Sequence, residues 1–446
     1  MATALLYSVV SMVIVLGIMI VVHEFGHFAA AKLFGVRVEV FSVGFGKRIL
    51  GFRRGETDYR ISLLPLGGYV KMAGENPMEA RTGDPGEFMS HPRWQRLIIA
   101  VAGPAMNIVL AVALLTGVFM AHYEHPIYLD QPAIIGWVLE NSAAEKAGFQ
   151  AGDRIVRIGG TQNPTWEEVI PRVMLSPNQP VEMAVQRGNE ILSKTITPES
   201  NGPEQFGNPG WLPEQPNTVT ETEPDMPAAK AGIQVGDEIV AINGIAVRST
   251  PGMARQLQET KDQPVTITAL RGGREMKFNM IPVLTEIDGR KQYRVGVRSE
   301  PQHVDKLPFT QAVAKSVDQN KKNSMLILEL VQKMMQRKVS IKQMEGPIGI
   351  ARASGQAAQE AGWTPLLGLM AAISLNLGIF NLFPIPILDG GLILLLLIES
   401  LMRRDISQRI KERIYQAAFV CLILFAGLVI FNDVMKALPG LTQHIQ

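Results

Sequence analysis

Residues 5–22, 97–121, 362–388 and 414–432 contain no Asp, Glu, Lys or Arg. Each is close to or beyond the roughly 20 helical residues that cross a hydrocarbon core. Backbone polar groups in lipid must be satisfied within the segment, so these stretches read as membrane-spanning helices. They also explain a composition that is otherwise hard to place. The 446 residues are 47% hydrophobic and only 19% charged, against about 25% charged in soluble domains. With the four stretches set aside, the remainder is roughly a quarter charged, an ordinary soluble composition. A helical membrane part carrying soluble material is expected.

The balance of 43 basic against 41 acidic residues leaves a net charge of +2, too little excess to neutralise a nucleic-acid backbone over a broad surface, so no nucleic-acid partner is expected. Cys421 is the single cysteine. Within an apolar run it reads as a small hydrophobe, with no internal disulfide and no Cys-type metal site.

Orientation follows from the short flanks. Residues 32–96 hold 11 basic and 7 acidic side chains, and residues 403–413 hold five basic ones against Asp405 and Glu412. Both read as cytoplasmic loops. The long stretch between the second and third spans then lies on the periplasmic side, as do both termini. The first span is expected to be retained rather than cleaved as a signal peptide, because no basic segment precedes it and its apolar run exceeds a signal h-region. The third span is irregular. Asn381-Leu382-Phe383-Pro384-Ile385-Pro386 cannot be continuous helix, since the prolines remove donors and force extended backbone before them. Non-helical backbone at membrane depth is tolerated where it lines a cavity or is buried in protein.

The insert between spans two and three repeats itself. Ala147-Gly148-Phe149-Gln150-Ala151-Gly152-Asp153-Arg154-Ile155-Val156 aligns with Ala231-Gly232-Ile233-Gln234-Val235-Gly236-Asp237-Glu238-Ile239-Val240, and the same offset of 84 carries Arg187-Gly188 onto Arg271-Gly272. Two copies of one domain are expected, over 122–217 and 218–310. The Ala-Gly-x-x-x-Gly-Asp-x-Ile-Val motif in both resembles bacterial PDZ domains, which implies α+β modules that add an extended peptide to a sheet edge. A purely steric role stays open. Residues 321–342 carry apolar side chains at Ile327, Leu330, Val331, Met334 and Met335 at helical spacing, an amphipathic helix that either lies on the membrane or packs on the bundle. It belongs to a linker assigned to 311–361.

His23-Glu24-Phe25-Gly26-His27 closes the first span, assigned to 1–34. On a helix, positions i and i+4 face one way, so both imidazoles reach one Zn²⁺ while Glu24 beside them can take a proton from the attacking water. Zinc needs a third protein ligand. Asp389 is the sole charge interrupting residues 362–398, and it falls a full span beyond the start of an inward-running segment, at the depth of the histidines. Ionisable residues at such depth call for a functional explanation.

The motif at His23 to His27, the tandem PDZ-like repeats and Asn381-Leu382-Phe383-Pro384-Ile385-Pro386-Ile387-Leu388-Asp389-Gly390-Gly391 together resemble the site-2 protease family, and in particular its bacterial branch with four spans and two PDZ domains. The resemblance covers nearly the whole chain. It implies an intramembrane zinc endopeptidase in which His23, His27 and Asp389 hold Zn²⁺, Glu24 is the general base, and Asn381, with Pro384 and Pro386, helps hold the substrate. It implies substrates among single-span membrane proteins such as an anti-sigma factor in the sigma-E stress response, and clearance of signal-peptide remnants. Family members often carry His after Leu-Asp-Gly-Gly, where this chain has Leu392.

The expected architecture is thus a polytopic α-helical membrane protein of four spans, one of them broken. Its cytoplasmic-side loop, 35–96, holds a re-entrant β element from Val36 to Val40, Tyr59 to Leu63 and Gly68 to Lys71, with Gly44 and Gly46 allowing close backbone approach. The second span is assigned to 97–121, the broken segment to 362–402, and the basic loop with the fourth span to 403–446. A catalytically silent PDZ scaffold and a zinc-binding transporter are the competing readings. Intact Glu24 speaks against both.

Overall fold

The computed structural model describes residues 2–75, 83–121, 123–201, 206–287, 290–299, 302–336, 346–359 and 362–437. Two compact units emerge, one built from the N-terminal part, residues 306–329 and the C-terminal part, the other mainly from residues 124–305.

The first unit is helical. Helix α1 (Ala2–Leu33) is followed by strands β1 (Val38–Arg54) and β2 (Thr57–Met72), then by α2 (Arg93–Ala121). After the insert come α3 (Phe309–Met335), α4 (Pro347–Gln359), α5 (Thr364–Asn381), α6 (Asp389–Met402) and α7 (Gln408–Ala437). Four helices among the described residues, α1, α2, α5 and α7, are long and apolar enough to cross a membrane. Helix α2 packs along both α1 and α5. Near one end, Arg93 ahead of the second span pairs with Asp405 ahead of the fourth at 2.8 Å, so the two basic loops meet.

The β element differs in outline from its expected pieces. Residues 59–63 and 68–71 belong to one strand, and β1 continues through Gly44 and Gly46 to Arg54. Its pairing shifts register repeatedly: residues 40–43 face both 58–61 and 68–71, while residues 50–54 fold back along 57–61. Bulges of this kind turn a strand through corners without ending its ladder, so corners that read as breaks in the sequence lie inside single elements. Gly44 and Gly46 both have a positive φ, 91° and 89°, and Gly44 is needed for space as well, since a Cβ there would lie 2.7 Å from the Leu64 carbonyl whereas Gly46 has open space.

The amphipathic helix starts well before its expected beginning, at Phe309, and Ile327 joins a buried cluster with Ala111, Leu375 and Ile379 of the bundle. The end of that expectation, residues 337–342, lies outside the described residues. Helix α4 had no counterpart in the sequence reading. Its N-terminus is held by the buried carboxylate of Asp433 on α7, which accepts from the amides of Gly346 and Ile348 at 2.9 Å each.

In the second unit the internal repeat becomes two four-stranded sheets of identical order. The first centres on Arg154–Ile158 and Val181–Arg187, flanked by Thr161–Gln162 and Glu190–Ile196; the second on Glu238–Ile242 and Val265–Arg271, flanked by Ile245–Ala246 and Arg274–Met280. Each closes over its own apolar core, around Trp166 and Ile155 in one and Ile239 and Ile267 in the other. The repeated Gly-Asp and Arg-Gly pairs have a shared cause. Arg187 donates through Nε and Nη2 to the two oxygens of Asp153, both at 2.7 Å, and through Nη2 to the Gly148 carbonyl at 2.8 Å. Arg271, Asp237 and Gly232 repeat this at 2.7 Å throughout. Both aspartates are almost fully buried, and a bidentate guanidinium is the partner that makes such burial tolerable.

Candidate functional site

Helix α1 continues two turns beyond His23, so the imidazoles of His23 and His27 stack on one face, both buried. Helix α2 comes unusually close to that face. A Cβ on Gly103 would sit 2.2 Å from His27 Nε2, and one on Gly26 would sit 2.3 Å from the Ala102 carbonyl. Two glycines facing each other therefore let the backbones approach until His27 Nδ1 donates to the Ile99 carbonyl at 2.8 Å. That bond leaves Nε2 with its lone pair directed at the cavity.

The Asp389 carboxylate arrives from the start of α6. Helix α5 ends at Asn381, residues 382–388 turn, and Asp389 opens the next helix from an extended Leu388. Gly390 and Gly391 permit the turn, because side chains there would collide with the Phe383 and Ile385 carbonyls at 2.2 Å.

His23 Nε2 and His27 Nε2 are 3.3 Å apart, Asp389 Oδ2 is 3.1 Å from the first, and Oδ1 is 3.3 Å from the second. Bonds of about 2.0–2.1 Å to a tetrahedral zinc place neighbouring ligand atoms about 3.3–3.4 Å apart. The two imidazole nitrogens thus stand at the edge length of a zinc tetrahedron, and the Asp389 carboxylate meets each of them through a different oxygen, with donors of the type zinc prefers. These three residues are also the group of His and acidic side chains among the described residues that can hold a metal.

These residues open onto a cavity of about 440 Å³ lined also by Glu24, Asn381, Gly68, Val70, Glu75, Asn107 and Leu392. Glu24 Oε2 accepts from the Val70 amide at 3.0 Å, and Glu75 accepts from the Met72 amide at 3.2 Å. Amides of alternate residues on β2 therefore point away from β1 and into the cavity, and the alternation of a strand puts Gly68 on the same side. Of the residues expected from sequence, His23, Glu24, His27, Asn381 and Asp389 line this one cavity. Pro384 and Pro386 do not; they lie in the turn between α5 and α6.

One residue escaped the sequence reading. Asn107 on α2 is completely buried, and its terminal amide lies 3.3 Å from His23 Nδ1. With Nε2 facing the metal, His23 carries its proton on Nδ1. The nearer atom is Asn107 Nδ2, and the amide oxygen is buried with no partner among the described residues; turning the terminal amide over by 180° would bring that oxygen to the Nδ1–H of His23 and satisfy both groups. The sequence signal was a polar side chain in an otherwise apolar span, with nothing to say which way it pointed.

A histidine pair and a carboxylate from separate helices, closing a zinc triangle beside a free glutamate within an apolar helical body, define a membrane-bound zinc hydrolase. The chain belongs to peptidase family M50, whose profile matches residues 11–425. Protease RseP of Yersinia pestis is 32% identical, with 96% of this chain and 99% of that protein covered. Regulator of sigma-E protease RseP of Escherichia coli (strain K12) is 30% identical, with 96% and 98% covered. A stretch of 20% of the chain is similar to the PDZ domain of the SdrC-like protein from Listeria monocytogenes, at 20% identity over 90% of that chain and a TM-score of 0.18. The protein is accordingly a site-2-type zinc metalloendopeptidase of the membrane.

Proposed function

We propose that this protease cuts single-span membrane proteins within or near the span, as the second cut in the regulated release of an anti-sigma factor in a sigma-E envelope stress response, with clearance of signal-peptide remnants as a related activity. The observation that carries the reading is the meeting of His23, His27, Asp389 and Glu24 in one cavity beside an outward-facing strand edge. The name of the Escherichia coli relative supports the sigma-E assignment.

In this reading His23, His27 and Asp389 would hold Zn²⁺, which when bound would supply Lewis acidity for the scissile carbonyl and for the attacking water. Glu24, oriented by the Val70 amide, takes the proton of the attacking water and passes it to the leaving amine. A substrate helix hides its amides and carbonyls in its own hydrogen bonds, so it must unwind locally, and the freed groups need partners in a dry setting. The edge of β2 from Gly68 to Met72, within a re-entrant β element, supplies them through the backbone groups that Glu24 and Glu75 leave open, since the Val70 and Met72 amides are held by those two carboxylates. Asn381 lies on the same cavity wall and holds the substrate backbone, and Pro384 and Pro386 shape the turn that presents Asp389. The duplicated domains are tandem PDZ modules on the periplasmic side of the inner membrane, where they control access, either by binding a newly trimmed substrate end or by excluding bulky external domains.

The test is Glu24→Gln in the full chain, assayed on a single-span reporter with zinc measured in parallel. Cleavage should be abolished while bound zinc stays at one per chain. Wild-type protein that holds zinc and cleaves no membrane reporter would refute the assignment.

A further inference from the structure

The curled sheet of β1 and β2 has two outer edges. By their pairings its segments lie in the order 50–54, 57–61, 40–43 and 68–71. The last of these borders the zinc cavity. The first lies at the other side of the sheet, and no further strand pairs with it among the described residues. Its side chains are an unusual mixture. Ile49, Leu50, Phe52, Ile61 and Leu63 are each more than half exposed. Leu50 stands opposite Ile61 and Phe52 opposite Tyr59, so these groups share one face, and strand alternation adds Arg54 to it. Residues 47–60 hold five basic side chains against Glu56 and Asp58. Arg48 and Arg60 reach Asp58 at 3.3 and 3.9 Å, whereas Arg53 and Arg54 are exposed and make no ion pair among the described residues. In water, an unpaired edge with an apolar face of this extent would invite aggregation.

The depth of this edge follows from its ties to α1. Tyr59 packs on Phe28 with ring centroids 5.9 Å apart, and Phe52 stacks on Tyr59 at 5.2 Å, which fastens the edge to the helical turn that carries His27. At one end of the strand, Thr57 donates to the Val38 carbonyl at 2.7 Å, just past the end of α1; at the other, Phe45 borders the zinc cavity. The strand therefore runs from a basic turn at the end of the first span back toward the metal. Arg48 lies back along it toward that turn, with Nε 2.9 Å from where a Cβ on Gly51 would stand. Long cationic side chains lie this way when the stem is in an apolar layer and the head seeks a polar one.

We propose that this edge binds an anionic phospholipid of the cytoplasmic leaflet, with the acyl chains against Leu50, Phe52 and Ile61 and the phosphodiester held by the guanidinium groups of Arg53 and Arg54. A guanidinium fork matches two phosphate oxygens, and two forks without a carboxylate partner favour a lipid of net negative charge over a zwitterionic one. An acidic protein segment would satisfy the arginines but leave the apolar face in water. Lipid held here fixes one edge of the sheet, and with it the position of the opposite edge beside the zinc site. The proposal stands on the cytoplasmic assignment of residues 35–96 and is independent of the substrate assigned above.

Native mass spectrometry tests it on the full chain, purified in detergent and equilibrated with equal amounts of dioleoyl-phosphatidylglycerol and dioleoyl-phosphatidylcholine. Wild-type protein should retain the anionic lipid over the zwitterionic one by about fivefold or more. Arg53→Gln combined with Arg54→Gln should bring that ratio close to unity, and because both side chains are exposed the fold does not depend on them. Arg403→Gln combined with Arg404→Gln, in the other basic loop and equally exposed, should leave the ratio unchanged. A phosphatidylglycerol carrying a diazirine on its headgroup should cross-link within residues 48–61. Equal retention of the two lipids, a preference that survives loss of Arg53 and Arg54 or vanishes with Arg403 and Arg404, or cross-links that avoid residues 48–61 would each overturn the proposal. So would an Arg53 and Arg54 double variant that keeps its lipid but shows a raised KM for a reporter with an acidic cytoplasmic flank, since the edge would then belong to a protein segment.

Discussion

Asn107→Leu isolates the support given to a metal ligand from the ligand itself. The leucine is close in size to asparagine, so no large cavity forms at this wholly buried position. What disappears is the terminal amide, whose Nδ2 lies 3.3 Å from His23 Nδ1 and whose oxygen, with the amide turned over, accepts from the Nδ1–H. A buried donor left without a partner costs about 1–3 kcal/mol, and outer-shell partners of zinc-bound histidines are worth about 10–100-fold in metal affinity. The two estimates agree, since each tenfold step is about 1.4 kcal/mol. Zinc affinity, followed by competition with a fluorescent chelator, should weaken in this variant by about one to two orders of magnitude, without loss of the helical circular dichroism signal. Asn107→Asp should bind zinc within a few-fold of wild type, because a carboxylate is an equally good or better acceptor for the imidazole N–H. His27 offers a built-in contrast: its Nδ1 is held by a backbone carbonyl, Ile99, and no side-chain replacement can remove that. Undiminished zinc affinity in Asn107→Leu would show that His23 is oriented by something else.

Gly103→Ala should displace the His27 ring, because the new Cβ would stand 2.2 Å from Nε2; zinc content should drop sharply, and a variant that binds normally would mean that α1 and α2 can separate freely. Backbone N-methylation of a reporter at successive positions beside the cleaved bond should slow cleavage in an alternating pattern, as expected for a strand paired on one edge; a uniform effect would contradict pairing along Gly68 to Met72. Arg271→Met should lower the thermal unfolding temperature of the second repeat, because it strips the bidentate partner from the almost fully buried Asp237 carboxylate; unchanged melting would show that solvent replaces the guanidinium. The Arg271 guanidinium, through its hydrogen bonds, holds the Asp237 carboxyl below the usual carboxylate range. Its stabilisation is therefore fully present above the unfolded value of about 3.9 and is lost as pH falls through the lower folded value; Asp237→Asn should flatten stability against pH in that acid window.

How legible each part was depended on whether it was encoded locally. The spans are a matter of missing charge, and the His23 to His27 spacing is a matter of helical period, so both can be read along the chain. Asp389 was legible because a lone carboxylate in an apolar run has few structural uses. The course of β1 and β2 was not. Register shifts let a strand turn corners while each residue keeps strand-like surroundings, and Gly44 and Gly46 give no sign in sequence that Gly44 alone is also required by crowding. Helix α4 was hidden for another reason. Its N-terminus depends on Asp433, more than 70 residues away on α7, so the sequence around Pro347 carries only part of its cause. Asn107 combines both difficulties: it is local in composition and non-local in meaning.

The site shows why so few charged residues suffice for chemistry inside an apolar body. Of the groups that orient its catalytic side chains, two are backbone atoms: the Ile99 carbonyl fixes His27, and the Val70 amide fixes Glu24. Backbone groups bring no added side-chain charge into the membrane. They can serve only where another segment comes within hydrogen-bond reach of α1, and that proximity is obtained with glycines. Gly103 admits α2 against His27, and Gly68, where a Cβ would lie 2.7 Å from the Ser42 carbonyl and 3.5 Å from Glu24 Cγ, admits β2 against Glu24. The metal ligands are thus what a motif search finds, but the residues that set their geometry are the small ones facing them, which sequence spacing alone could not pair.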